Sequence, residues 1–139
     1  MKLYQSKVED NVSYIYLQDK DGIYKGKSRI HPDDQNENYR PFKGLRIAEN
    51  RALIECYKSK IKKAKHQLEA VINLKKDFIF TFSEENIPKE YLKRFNLKIR
   101  DYNKEIDEYK SLIKLIEDNI KLDYKLAERF KKDKNKEKI

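Results

Sequence analysis

The chain has 139 residues, 41 % charged and 38 % apolar, and its 33 Lys and Arg outweigh 24 Asp and Glu to give a net charge of +9. Three scattered glycines, one cysteine and no apolar run near the roughly 20 residues of a membrane span exclude a glycine-rich phosphate-binding fold, a disulfide scaffold and a spanning helix. The start, Met1-Lys2-Leu3-Tyr4-Gln5, lacks the apolar core of a secretory signal. The expectation is therefore a cytoplasmic protein of one domain, without membrane association, whose positive charge favours an anionic partner.

The first 30 residues read as β-structure. Val12-Ser13-Tyr14-Ile15-Tyr16-Leu17 is rich in β-branched and aromatic residues, and the segment around Asp21-Gly22 is a hairpin turn. Residues 23–30 form the returning strand. Residues 2–8 can add a third strand if Asp10-Asn11 turns the chain. A hairpin of this size needs a surface to pack on. Residues 31–43, with two prolines and several Asp and Asn, read as an irregular loop.

From about Gly44 the spacing turns helical. Ala48, Ala52, Tyr57, Ile61, Ala64, Leu68, Val71 and Ile72 recur at steps of three and four, and the small alanines invite close approach of another backbone. Phe78-Ile79-Phe80-Thr81-Phe82 is β-like, so the helix is expected to end or bend near it, with the three rings on one side. Ser83-Glu84-Glu85-Asn86-Ile87-Pro88 then signals a second helix start. That helix is expected to run to about Phe130 on the ladder Tyr91, Phe95, Ile99, Tyr102, Ile106, Tyr109, Ile113, Ile116, Ile120 and Tyr124. Residues 131–139 read as a basic, frayed tail.

The resulting fold class is α+β. A small N-terminal antiparallel β-element precedes a long antiparallel αα-hairpin, in a single domain over residues 1–130. The seam exceeds what a small β-element can cover, so a dimer or higher homo-oligomer is expected.

Few constellations carry chemistry. Residues 31–34, His-Pro-Asp-Asp, fit a turn better than a site, and no ligand cluster has metal-binding spacing. Cys56 has no Cys partner and no identifiable activating base. The chain therefore reads as a binding protein and not an enzyme, with no cofactor and no metal. Among many lysines the few arginines are the informative cations, because a guanidinium grips phosphate bidentately. Arg51, Arg94 and Arg100 are candidates for phosphate, and Phe82 for stacking on a base. Asp101 or Asn86 are candidates for ribose hydroxyls. The plainer alternatives are ion-paired helix faces for the arginines and a hydrophobic cap for the phenylalanines.

One stretch resembles a known pattern. Gly26-Lys27-Ser28-Arg29-Ile30-His31-Pro32-Asp33-Asp34, followed by Gly44-Leu45-Arg46-Ile47-Ala48-Glu49-Asn50-Arg51-Ala52, is similar to a strand-end and helix-opening motif of phage proteins. These are the Thoeris anti-defence sponges, with Ser28 and Ile30 here in place of a small residue and a cysteine. The resemblance implies a β-element plus two helices, oligomerisation with pockets between subunits, and a pocket built on arginine and aromatic side chains. It implies sequestration of a cyclic ADP-ribose type signal made by bacterial TIR proteins, without cleavage, in the infected host's cytoplasm. Within the motif it maps only Arg51 onto the pocket. A different class remains open beside it, a small basic phage inhibitor that binds nucleic acid or a nucleoprotein, as anti-CRISPR proteins do. A purely structural coiled-coil adaptor is the third.

Overall fold

Two tight turns decide the N-terminal third. In the computed structural model, which describes the backbone of residues 1–29 and 41–137 and the side chains of residues 1–29 and 44–125, strands β1 (Lys2–Glu9), β2 (Val12–Asp19) and β3 (Gly22–Arg29) form an antiparallel sheet in that order. Glu9 pairs with Val12, so Asp10 and Asn11 alone make the first loop. Both are left-handed, at φ 50° and 63°. That is the primed turn that Asp and Asn tolerate and whose twist suits a hairpin. In the second loop Asp19 pairs with Gly22. The Asp19 carboxylate there accepts the backbone N–H of Asp21 at 2.8 Å and of Gly22 at 3.2 Å. A register shift between Leu3 and Gln5 marks a bulge in β1.

The alternation of β2 and β3 separates two faces. Ser13, Ile15 and Leu17 pair with Ser28, Gly26 and Tyr24, and all six are buried. Tyr14, Tyr16, Lys25, Lys27 and Arg29 project to the other side. Strand β1 is exposed along its whole length.

Helix α1 covers Pro41–Phe82 and helix α2 Lys89–Glu137, joined by a short 3-10 turn at Glu84–Asn86. At ~1.5 Å per residue they are about 63 and 74 Å long. The chain divides into two compact units. One comprises Met1–Cys56 with Ile113–Ile139, and the other Tyr57–Leu112.

In the first unit Ile15 and Leu17 pack on Ala48 and Ala52, with Leu45 and Leu53 alongside. The alanine stripe is the place of close approach that its small side chains invited. A Cβ on Gly26 would fall 1.8 Å from the Ala48 carbonyl oxygen and 2.5 Å from the Ala52 nitrogen. Strand β3 thus touches the α1 backbone through a residue without a side chain.

The second unit is an antiparallel helix pair. Tyr57 stacks on Tyr109 at 5.7 Å, and Phe78 meets Phe95 at 5.6 Å. Ile61, Ala64 and Ile106 are buried between these contacts.

Four expectations need correction. The loop placed at 31–43 lies outside the described residues up to position 40, with residues 31–34 among them. Positions 41–43 belong to α1, where Pro41 suits a first turn. Residues 78–82 neither end the helix early nor form a strand. Extending an existing helix adds one hydrogen bond per residue fixed, and this outweighs the weak preference of a β-like run. As a result Phe78 and Phe82 meet at 5.6 Å while Phe80 points away, 92 % exposed. At the start of α2, Leu92 and not Tyr91 turns inward. Finally, α2 extends to Glu137, past its expected end near Phe130, in a segment of helix-favouring Lys and Glu.

Candidate functional site

Five of the six candidate residues fall in the second unit, near the link between its helices. Phe82 closes α1 and is 54 % exposed, with its ring held against Phe78. Asn86 sits in the 3-10 turn, where its side-chain NH2 donates to the Ser83 hydroxyl at 3.3 Å. Ser83 itself is left-handed, at φ 56°, which turns the chain sharply out of α1. Buried Ile87 anchors the link, and the Pro88 carbonyl accepts the Tyr91 N–H at 3.0 Å to open α2.

Arg94, Arg100 and Asp101 follow on α2. Arg94 and Arg100 differ by about 120° around the helix axis, so they do not face one ligand together. Arg94 shares its flank with Asp101, seven residues on. The Arg100 guanidinium stands 3.8 Å from the Asp101 carboxylate, with both side chains about seven-tenths exposed. An exposed pair at that distance holds the arginine only weakly.

Arg100 lies instead over an open depression of about 430 Å³ with Lys89, Leu92, Lys93, Asn96 and Leu97. Three cations thus surround two leucines on one face of α2. Asn96 contributes a fixed amide. Its Oδ1 accepts a hydrogen bond from Lys75 Nζ at 2.8 Å. Lysine has no acceptor, so the oxygen must face it and the NH2 remains directed elsewhere as a donor. The depression offers positive charge for phosphate, an apolar floor and an amide donor. The sequence reasoning missed Lys89, Lys93 and Asn96. Their signal is the spacing of 89, 93, 96 and 100, which puts them on one helical stripe.

Arg51 is placed elsewhere, in the first unit, and its guanidinium has two partners. It donates from Nη1 to the Lys27 carbonyl at 2.7 Å and from Nη2 to the Tyr124 hydroxyl at 2.9 Å. It therefore ties β3 to α2. Nearby, Arg46 Nε stands 3.4 Å from Asp123 Oδ2, an ion pair without hydrogen-bond geometry. Cys56 is fully buried and its thiol donates to Asp19 at 3.7 Å.

The opposite face of the sheet carries a second concentration of charge. Lys25 Nζ lies 4.9 Å from the Tyr14 ring centre and 5.9 Å from that of Tyr16, and Lys7 Nζ lies 5.2 Å from Tyr14. A hydrogen bond to Glu9, reinforced by its charge, raises the Lys7 pKa above its ordinary value. Among the described residues, no group of three or more His, Cys, Asp or Glu is placed to hold a metal ion. Nor is any helix there long and apolar enough to cross a membrane. No protein-family model matches the chain, and neither a curated protein nor a solved structure matches it.

Proposed function

We propose that the protein is a phage anti-defence sponge. It binds a cyclic nucleotide immune signal of the glycocyclic ADP-ribose type, holds it intact, and so blocks TIR-based Thoeris defence in the host cytoplasm. One observation carries this reading. The motif residues that resemble the sponge family, Gly26, Ala48, Arg51 and Ala52, are the ones that lock strand to helix. A motif fixed by such a steric need travels with an architecture, so likeness in the motif supports likeness in the whole layout. The chemistry near the helix link supports the ligand class. A cyclic dinucleotide-like signal needs cations for its phosphates, a ring for its base and amides for its hydroxyls. Arg100, Lys89 and Lys93 offer the first and Asn96 the third around the depression, while Phe82 and Asn86, candidates for the ring and a further amide, stand at the helix link outside its lining.

The proposal includes assembly. Leu115 and Leu122 lie seven residues apart on α2 and are 58 % and 54 % exposed. Met1 and, on β1, Leu3 and Val8 are each more than half exposed. Repeated exposed apolar positions of this kind fit a second copy of the chain. Light scattering should give at least twice the mass of 16.9 kDa at micromolar concentration. Leu115→Glu with Leu122→Glu should shift the population to monomer. A wild-type monomer would remove the assembly, and with it any pocket between subunits.

The ligand is tested by what copurifies from cells making the signal. Heating the purified protein should release a nucleotide with the mass of the untouched signal. Arg100→Ala or Phe82→Ala should reduce its recovery, with affinity falling roughly ten- to a hundredfold for the arginine. Release of a hydrolysed product would show an enzyme and overturn the proposal.

A further inference from the structure

We infer that the outer face of the sheet is a separate binding surface for single-stranded nucleic acid. The pairing register places its residues. Tyr14 and Tyr16 of the central strand face outward, flanked by Lys25 and Lys27 on β3 and by Gln5 and Lys7 on β1. Lys2 and Arg29 stand at the ends of this face and Glu9 at its rim. Five cations therefore share the surface with one carboxylate. Among the described residues only Lys7 of these five has a carboxylate partner, Glu9 at 3.2 Å.

The chemistry selects the occupant. The two rings are half-buried and stand about 6.8 Å apart along β2, two residues at ~3.4 Å each. The Lys25 ammonium lies over both rings and that of Lys7 over one. Each ring is thus capped by an ammonium group on a flexible stem, which an incoming base would displace from the ring toward its own phosphate. A nucleotide chain brings a base for the one and a phosphate for the other at every step. Aromatic side chains on the central strands of an open sheet bind single strands in this manner. A second copy of this face would bring ten cations together against two carboxylates, which disfavours self-association here. A lipid surface would need apolar anchors, and among the paired residues of this face Ile23 is the exposed large aliphatic one, the exposed Leu3 and Val8 pairing with Leu17 and Ser13 of the inner face. A duplex hides its base faces and leaves the rings without a partner.

The test uses the full-length protein and a fluorescent oligothymidylate of about 15 nucleotides, a length within the span of one small single-strand binder. Anisotropy should rise with protein in low salt. Contacts from four cations predict a slope of log affinity on log salt near −3, so affinity should fall roughly 50-fold between about 50 and 200 mM salt. Tyr14→Leu with Tyr16→Leu should weaken binding at least about 30-fold, since each ring contributes a stacking contact. The conservative pair Tyr14→Phe with Tyr16→Phe should retain it. Lys25→Glu with Lys27→Glu, both exposed, should abolish binding while circular dichroism remains unchanged. The same charge change at Lys62 and Lys65 on α1, which are not part of the sheet, should cost less than about threefold, because it alters only the general charge and not the binding face.

Three outcomes overturn the inference. One is the absence of binding at low salt. Another is equal loss from the α1 and sheet reversals with no loss from the tyrosine pair, which means unspecific attraction to a basic protein. The third is tighter binding of a duplex of the same length. None of these depends on whether the protein also holds a cyclic nucleotide.

Discussion

Gly26→Ala is expected to unfold the unit that contains the sheet. The added methyl would lie 1.8 Å from the Ala48 carbonyl oxygen, 2.5 Å from the Ala52 nitrogen and 2.9 Å from the Ala48 carbonyl carbon. All three are helix backbone atoms and none can rotate aside. Either α1 lifts from the sheet or β3 bends away, and both open the contact of Ile15 and Leu17 with Ala48 and Ala52. Overpacking a core by a methylene costs typically ~1–3 kcal/mol when side chains can adjust. Here they cannot, so a loss above ~3 kcal/mol is expected against a total domain stability of roughly 5–15 kcal/mol. Urea unfolding followed by circular dichroism should show the midpoint falling sharply or the native baseline missing. An unchanged midpoint would mean that the sheet and α1 do not pack as described.

Asp19→Ala should have the second largest effect, because one carboxylate serves both a turn and a tertiary contact. Its Oδ1 accepts the N–H groups of Asp21 and Gly22 and the Tyr24 hydroxyl at 3.3 Å, while Oδ2 accepts the Cys56 thiol. Removing it leaves the part-buried Tyr24 hydroxyl and Cys56 thiol without this acceptor and loosens the β2–β3 turn. Hydrogen bonds to charged groups contribute ~1.5–3 kcal/mol each, and several converge on this carboxylate. A loss of about 2–4 kcal/mol follows. Asp19→Asn keeps one oxygen acceptor and should lose about half as much. Equal losses for the two variants in the same unfolding experiment would show that charge, and not the turn geometry, sets the effect.

Much of this fold is legible in the residues themselves. The β-rich start, the turn before β3 and the long periodic helices follow from spacing, since period two and period 3.6 leave different traces. The alanine stripe announces a close approach, although not that its partner is Gly26. That pairing is a long-range steric fact with no local signal. The phenylalanines at 78–82 misled because β-propensity is weak against the propagation of an established helix. Arg51 stood out as an arginine in a lysine-rich chain, yet nothing nearby in sequence foretells a hydrogen bond to Tyr124, 73 residues away. Around α2, the charged stripe at 89, 93, 96 and 100 is legible as one helical face, whereas Arg94 lies about 120° from Arg100 around the helix axis. Tyr14 and Tyr16 read as strand formers and stand in β2. That their outward side also gathers lysines from both neighbouring strands depends on the register, and the turns at 10–11 and 20–21 set it.

As proposed above, this protein holds a cyclic nucleotide without changing it. Isothermal titration of the wild type with glycocyclic ADP-ribose measures this most directly, followed by heating and mass analysis of the released ligand. A saturable heat of binding is expected, with recovery of the ligand at its original mass. The proposal is contradicted if neither glycocyclic ADP-ribose nor a cyclic oligonucleotide gives any heat, or if the ligand is recovered cleaved.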